Sequence, residues 1–388
     1  MRTLLITGPG GSGRTTTAAA TALAAARSGA RTLLLGTDPT DTLGPVLGDG
    51  DVPGLTVRRT DPDAGFRADL TAMQDRAGGA LDLLGASRLV PEETSPLPGA
   101  EELAVLRALR DAARDEESYD LLVVDLPATP RAISLLALPD ELRRALRRLL
   151  PPERQAARAL RPVLGRLAGV PMPAEWVYET AARLDLQLAA VETLLADRGT
   201  AVRLVAEPGP AGADALRTAA LGVALRGWRL DGVIANRVLP ESDADSWLAG
   251  PVAQQRKTLE EWREEHDVHP VAHLGRDPRG ADDLAVLAVP AAPTAAAPTA
   301  AGPAEWPVTD RLAEDGVLVW HLPLPGARRD ALDLVRRGDE LVVTAEPFRR
   351  VVPLPSALRR CTVDGAALRE GELRVRFRPD PALWPRTR

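Results

Sequence analysis

The run Gly8-Pro9-Gly10-Gly11-Ser12-Gly13-Arg14-Thr15-Thr16 has the residue types of a loop that grips phosphate. Gly10, Gly11 and Gly13 permit positive φ and let the main chain approach an anion that side chains would hold off. The amides from Ser12 to Thr16 would line the same concavity, with a helix N-terminus behind them. Thr15 can offer its hydroxyl to Mg2+, and Thr16 lies one residue deeper. Arg14 stands where such loops carry a lysine. The plainer reading of the segment is a tight turn with no ligand.

Three more polar residues close apolar runs further on. Asp38, in Gly36-Thr37-Asp38-Pro39, puts a carboxylate at the rim where ligands bind in open α/β sheets. Asp125 ends Leu121-Leu122-Val123-Val124, the placing expected of the acid that supports a Mg2+ shell. Asn236 ends Gly232-Val233-Ile234-Ala235 and offers a donor and an acceptor together, as the edge of adenine requires. Each also has a bland reading as a turn or strand-end residue. As a series they point to a nucleotide.

The elements that must position these residues are legible as alternating apolar and amphipathic stretches. Thr3–Thr7, Arg31–Leu35, Leu121–Asp125, Ala201–Ala206, Gly232–Ala235 and Pro270–Leu274 read as strands. Segments 14–28, 101–116, 139–150, 176–196 and 211–226 read as helices. Such alternation implies an α/β fold: a mainly parallel sheet with helices on both faces. Residues 289–307 hold a Pro/Ala-rich run without periodicity, expected to be a linker between domains. Beyond it, Val317–Leu322, Ala331–Leu334, Glu340–Thr344, Arg349–Leu354 and Leu373–Phe377 alternate between turn signals. That implies a small all-β sandwich over 308–388, after a nucleotide-binding domain over 1–288.

Composition narrows the function classes. At 388 residues, 45% hydrophobic and 26% charged, the chain can bury a large core. A net charge of −6 argues against nucleic-acid binding. No apolar run approaches the length of a membrane span or a signal-peptide core, so a cytoplasmic protein is expected. The single cysteine, Cys361, excludes an internal disulfide and any site built from several thiolates. Lys257 is the only lysine among 48 basic residues, so a Lys-to-Arg difference must be read against that bias.

The order GPGGSGRTT, TDPTDTL, VVDLPATP then SLLALP, and ANRVLP resembles the arsenite-transporter ATPase (ArsA) and tail-anchored-protein targeting ATPase family, within the deviant-Walker P-loop class. PGAEELAVL at 98–106 and VPMPAEWVYETAARL at 170–184 extend the resemblance over roughly the first 288 residues. HLPLPGARRDALDLVRRGDELVV and VPLPSALRR resemble the α-crystallin-like (small heat-shock protein-like) domain appended to some members. The resemblance implies bound ATP and Mg2+, with Asp38 positioning water, Thr15 and Asp125 serving the metal, and Asn236 reading adenine. It implies a dimer, as a homodimer or with a paralogous ATPase, acting on a protein client that the sequence leaves unknown.

The chain departs from the family pattern where charge matters. Both lysines of the loop are missing, replaced by Pro9 and Arg14. A forked guanidinium does not simply replace an ammonium inside a tight loop. The expectation is a nucleotide-dependent dimeric switch with weak or lost hydrolysis; the alternative is a non-catalytic scaffold, partner to an active paralogue. No CxxC motif is present for a dimer-joining zinc, nor the three cysteines of an arsenite site. The Arg-studded segment 139–173 offers no Met-rich groove, and Leu142, Ala145, Leu146, Leu149 and Leu150 are expected to pack as core. His266, His269 and His273 form no recognisable metal spacing and read as capping or solvated residues. Arg131 could meet phosphate or a surface acid, and Cys361 reads as a small buried apolar residue.

Overall fold

A computed structural model describes residues 1–84, 87–90, 93–115, 118–150, 175–241, 247–291 and 306–384. The first part is built on seven strands: β1 (Arg2–Thr7), β2 (Thr32–Gly36), β3 (Leu55–Arg59), β4 (Leu121–Asp125), β5 (Thr200–Ala206), β6 (Leu230–Val238) and β7 (Val268–Ala272). They form one parallel sheet in the order β3-β2-β4-β1-β5-β6-β7. The central strands β2, β4 and β5 are buried along their whole length and mostly apolar, as strands covered on both faces are.

Alternate residues serve opposite faces. Leu5, Leu33, Leu122 and Val124 pack with α4 (Ala100–Arg114), α5 (Thr129–Leu149), α6 (Glu175–Ala196), α7 (Pro210–Arg226) and α8 (Ala249–Glu265). Leu4, Ile6, Leu34 and Val123 pack with α1 (Arg14–Arg27), α2 (Leu43–Leu47) and α9 (Gly280–Val286). The alanines of α1 serve two ends, strong helix propensity and a surface flat enough to lie close on the sheet. α3 (Pro62–Leu84) lies against α4.

The C-terminal part is a small β domain of two antiparallel sheets. One is β10 (Leu332–Arg337), β11 (Glu340–Ala345) and β12 (Phe348–Pro353); the other runs β13 (Cys361–Arg369), β14 (Glu372–Pro379), β9 (Val317–Pro323) and β8 (Val308–Arg311). Buried and half-buried residues alternate along β11, the signature of a strand with one face on a core. Trp320 anchors that core between Trp306 and Phe377, at 5.6 and 6.5 Å between ring centroids.

The β domain packs on α5 and α7. Gly222 of α7 receives the Phe348 ring; a Cβ there would lie 2.7 Å from the ring edge and 3.0 Å from Ile133. Arg350 donates to the Leu225 carbonyl at 2.9 Å, and Arg226 to the Arg349 carbonyl at 2.8 Å. From α5, Arg144 reaches the Val351 carbonyl at 3.3 Å, and Arg148 pairs with Glu340.

The expected α/β sheet with a small β domain is the observed architecture, with local corrections. The helix expected over 139–150 starts ten residues earlier, because Pro130 occupies its first turn and Pro139 is accommodated inside it. The last strand of the parallel sheet lies at Val268–Ala272 rather than Pro270–Leu274. Of the linker expected over 289–307, residues 292–305 lie outside the described residues, as does Met172. Val289 is buried, and the Pro290 carbonyl accepts from the buried Arg203, which also pairs with Asp231 at 2.8 Å.

Candidate functional site

The glycine-rich run forms the connection from β1 to α1, at the carboxyl edge of the sheet. Gly8 must be glycine because a Cβ would stand 2.0 Å from the Val205 carbonyl oxygen. Gly13 must be too, with φ +87° and a built Cβ only 2.1 Å from the Asn236 amide nitrogen. At Gly10 and Gly11 a Cβ would meet nothing within 4 Å. Their absent side chains leave the mouth of the loop open. Gly13 caps α1 with no side-chain acceptor for its first amides, which leaves those donors facing the loop.

Neighbouring strands hold the loop from outside through its carbonyls. The Asn236 amide donates to the Ser12 carbonyl at 2.7 Å, and Arg237 to the Gly11 carbonyl at 3.2 Å. The Thr129 amide donates to the Gly8 carbonyl at 3.0 Å, tying the start of α5 to the same turn. Asn236 therefore spends one N–H on the loop while lining a 210 Å³ cavity with Gly13, Thr16, Pro45 and Leu274.

Arg14 reaches across to the end of β4. Its guanidinium donates to the Leu126 carbonyl, just past β4. Burial pushes its pKa down, while Asp125 and Asp38 oppose the shift by favouring the cation. Asp125 is buried, and that burial raises its carboxyl to about 6, against the lowering pull of the Thr15 hydroxyl and the Arg14 charge. Asp38 is exposed; its Oδ1 accepts from the Thr40 amide at 2.8 Å and the Thr40 hydroxyl at 2.6 Å, the turn-capping role.

Buried side-chain oxygens without a partner cluster here: Ser12 Oγ, Asp125 Oδ1 and Thr129 Oγ1. Orphaned buried acceptors are rare in folded proteins and call for a ligand, ion or water. An open glycine cradle beside an unpartnered carboxylate oxygen is a donor and acceptor set that suits a metal–phosphate group.

Other candidates resolve into structure. Arg131 pairs with Glu101 and Glu102 rather than facing the loop. His269 meets the Ala288 carbonyl at 3.1 Å, and His273 accepts from the Gly275 amide at 2.8 Å. Cys361 is buried with its sulfur 3.5 Å from the Ala357 carbonyl. Of the stripe expected to pack as core, Leu142 and Leu146 do so, whereas Leu149 is 76% exposed. Leu142 also borders a 740 Å³ apolar cavity among α3, α4 and α5, with Phe66, Leu70, Met73, Leu103 and Leu138. The sequence holds no sign of that cavity, because α3 has no legible period, and no pattern in it singles out Arg237 and Glu207, which pair at 2.5 Å beside the loop.

A parallel sheet whose first strand feeds such a loop and helix, with carboxylates closing neighbouring strands, has the P-loop NTPase architecture. Residues 1–285 match the anion-transporting ATPase family, and residues 315–377 match the HSP20-like domain found in ArsA. The chain belongs to the anion-transporting ATPase (ArsA) family and carries that C-terminal domain. It is 72% identical to an uncharacterised protein of Streptomyces coelicolor, with all of both chains covered. A Mycobacterium tuberculosis protein is 32% identical, over 99% of this chain and 97% of that one. An Aquifex aeolicus protein, provisionally named an arsenical pump-driving ATPase, is 26% identical over 97% of this chain and 99% of its own. Among the described residues, no helix is long and apolar enough to cross a membrane.

Proposed function

We propose that the chain binds ATP with Mg2+ in the loop between β1 and α1 and acts as a nucleotide-dependent dimeric switch with weak or lost hydrolysis. The observation that carries this reading is the trio of unpartnered buried oxygens around an open cradle of main-chain amides. Residues 10–16 would hold the phosphates through their amides, Thr15 and Asp125 would serve the metal, and Asn236 would present its side chain to the base. Bound Mg2+ would neutralise charge on the phosphates. Asp38 would position the attacking water after releasing Thr40.

Turnover is expected to be poor because the cations that stabilise a transferring phosphoryl group are missing or diverted. Pro9 carries no charge, and Arg14 is committed to the Leu126 carbonyl. One such contact contributes about 3 kcal/mol to a transition state, so two missing contacts lower the rate by about 25,000-fold. The dimer, formed with a second copy or a paralogous ATPase, would pass loop movements through α5 to the β domain and from there to a client.

Calorimetry with Mg-ATP and measurement of phosphate release test the reading together. Binding in the micromolar range with negligible release is expected, and release should rise in the Pro9→Lys, Arg14→Lys double variant. Absence of binding at millimolar Mg-ATP would refute the nucleotide reading. Robust release by the unaltered chain, abolished in Asp38→Asn, would refute the claim of weak hydrolysis.

A further inference from the structure

Arg237 breaks the rule of its strand. Successive side chains of a β-strand point to opposite faces, so Asn236 and Arg237 should diverge. Both instead contact the loop, through Ser12 and Gly11. The cause is visible in the pairing of β6 with β7, whose register shifts between Ala235 and Val238. Such a bulge re-aims side chains and recurs beside functional sites. Arg237 also has φ +55°, left-handed backbone that a side-chain-bearing residue adopts at a cost. Two local irregularities thus bring one guanidinium onto the loop.

That guanidinium is not locked there. Its side chain is 43% exposed, borders the 210 Å³ cavity, and shares Nη1 between the Gly11 carbonyl and the Glu207 carboxylate. Glu207, just past β5, is itself 49% exposed. A forked cation with donors to spare, resting on the glycine-rich turn and bordering a cavity lined by Gly13 and Thr16, is suited to a phosphate oxygen.

We propose that Arg237 binds the polyphosphate of the nucleotide, supplying from β6 a charge that Pro9 and Arg14 do not, and that Glu207 holds it in reserve until nucleotide enters. This rests on the nucleotide reading above. Phosphate displaces Glu207 as the counter-ion, and Arg237 keeps its Gly11 contact as a pivot. The ligand class is a nucleoside polyphosphate with at least two phosphates.

The test is calorimetry on the full chain with Mg-ATP, AMP and inorganic tripolyphosphate. Arg237→Ala should weaken Mg-ATP and tripolyphosphate ten- to a hundredfold, the range for a hydrogen bond to a charged group. It should change AMP binding less than threefold, and Arg237→Lys should restore part of the loss. Glu207→Gln should tighten Mg-ATP severalfold, because the arginine no longer has a competing acid. If the unaltered chain binds Mg-ATP and Arg237→Ala binds it equally well, this proposal alone fails. It also fails if Arg237→Ala weakens AMP and Mg-ATP alike, or if Glu207→Gln weakens Mg-ATP; either result makes the pair a structural brace. An unaltered chain that binds none of the three ligands overturns the nucleotide reading and this one with it.

Discussion

At the phosphate loop the guanidinium groups of Arg14 and Arg237 rest on the carbonyls of Leu126 and Gly11. At the seam with the β domain those of Arg144, Arg226 and Arg350 rest on the carbonyls of Val351, Arg349 and Leu225. The donor and acceptor are the same; the surroundings differ. Seam arginines are screened from water and backed by a second partner: Asp140 for Arg144, Glu141 for Arg226, the Trp306 ring 5.1 Å from Arg350. At the loop, Arg237 is half exposed and its second partner is a half-exposed glutamate. One arrangement fixes two bodies together, while the other leaves a cation free to change partners. α5 joins them, starting at the loop through Thr129 and ending on the seam through Arg144 and Arg148.

The comparison breaks most readily at Arg350. Burial lowers its pKa to about 10, Arg226 and Arg144 add to the shift, and Asp140 opposes it. Truncation in Arg350→Ala removes the bond to Leu225 and the stacking on Trp306, and leaves a buried carbonyl unmet. A loss of about 3 kcal/mol is expected, read by chemical denaturation with tryptophan fluorescence. A loss below about 1 kcal/mol would mean that the seam arginines are as replaceable as surface ones.

Asp125 sharpens the loop side. Its folded carboxyl titrates at about 6, above the ordinary value of 3.8. The folded chain therefore binds this proton more tightly than the unfolded chain. The contribution is fully present below about pH 4 and is lost as pH rises through about 6. Two pH units at about 1.4 kcal/mol each set it on the order of 2–3 kcal/mol. Asp125→Asn removes the titration, so the gap in unfolding free energy between it and the unaltered chain should change by that amount between pH 4 and 8. The variant should gain relative stability at the alkaline end. A gap independent of pH would show that Asp125 is solvated in the folded chain, contrary to its burial.

How legible this was depended on how locally each feature is encoded. β4 lies where its apolar run places it, Leu121 to Asp125, because a strand buried on both faces reads as a near-continuous apolar run. β3 was missed because Leu55–Arg59 is an edge strand with four exposed residues and no run to see. α3 contains Gly65, Gly78 and Gly79, which mask its period. In the site, the glycines, Thr15, Asp38, Asp125 and Asn236 stand in the turn, at the start of α1, or where an apolar run closes, positions that pattern reveals, although β6 continues past Asn236 to Val238. Arg237 does not, since strand alternation points it away from Asn236 and only the pairing of β6 with β7 produces the bulge. The diversion of Arg14 to Leu126 was equally hidden, because β4 and the loop are over a hundred residues apart in sequence.

The smallest effect is expected within the seam itself, at its rim. Arg148 pairs with Glu340, but the arginine is 65% exposed and sits on the last turn of α5. Exposed pairs contribute about 0–1 kcal/mol, since the charges stay hydrated and ordering two long side chains costs entropy. Arg148→Ala should therefore shift the unfolding free energy by about 0.5 kcal/mol or less, with even that difference disappearing in high salt. A loss comparable with that of Arg350→Ala would contradict the claim that exclusion of water, rather than the number of arginines, gives the seam its strength. It would also remove the reason for treating Arg237, equally well paired on paper, as free to leave Glu207 for a phosphate.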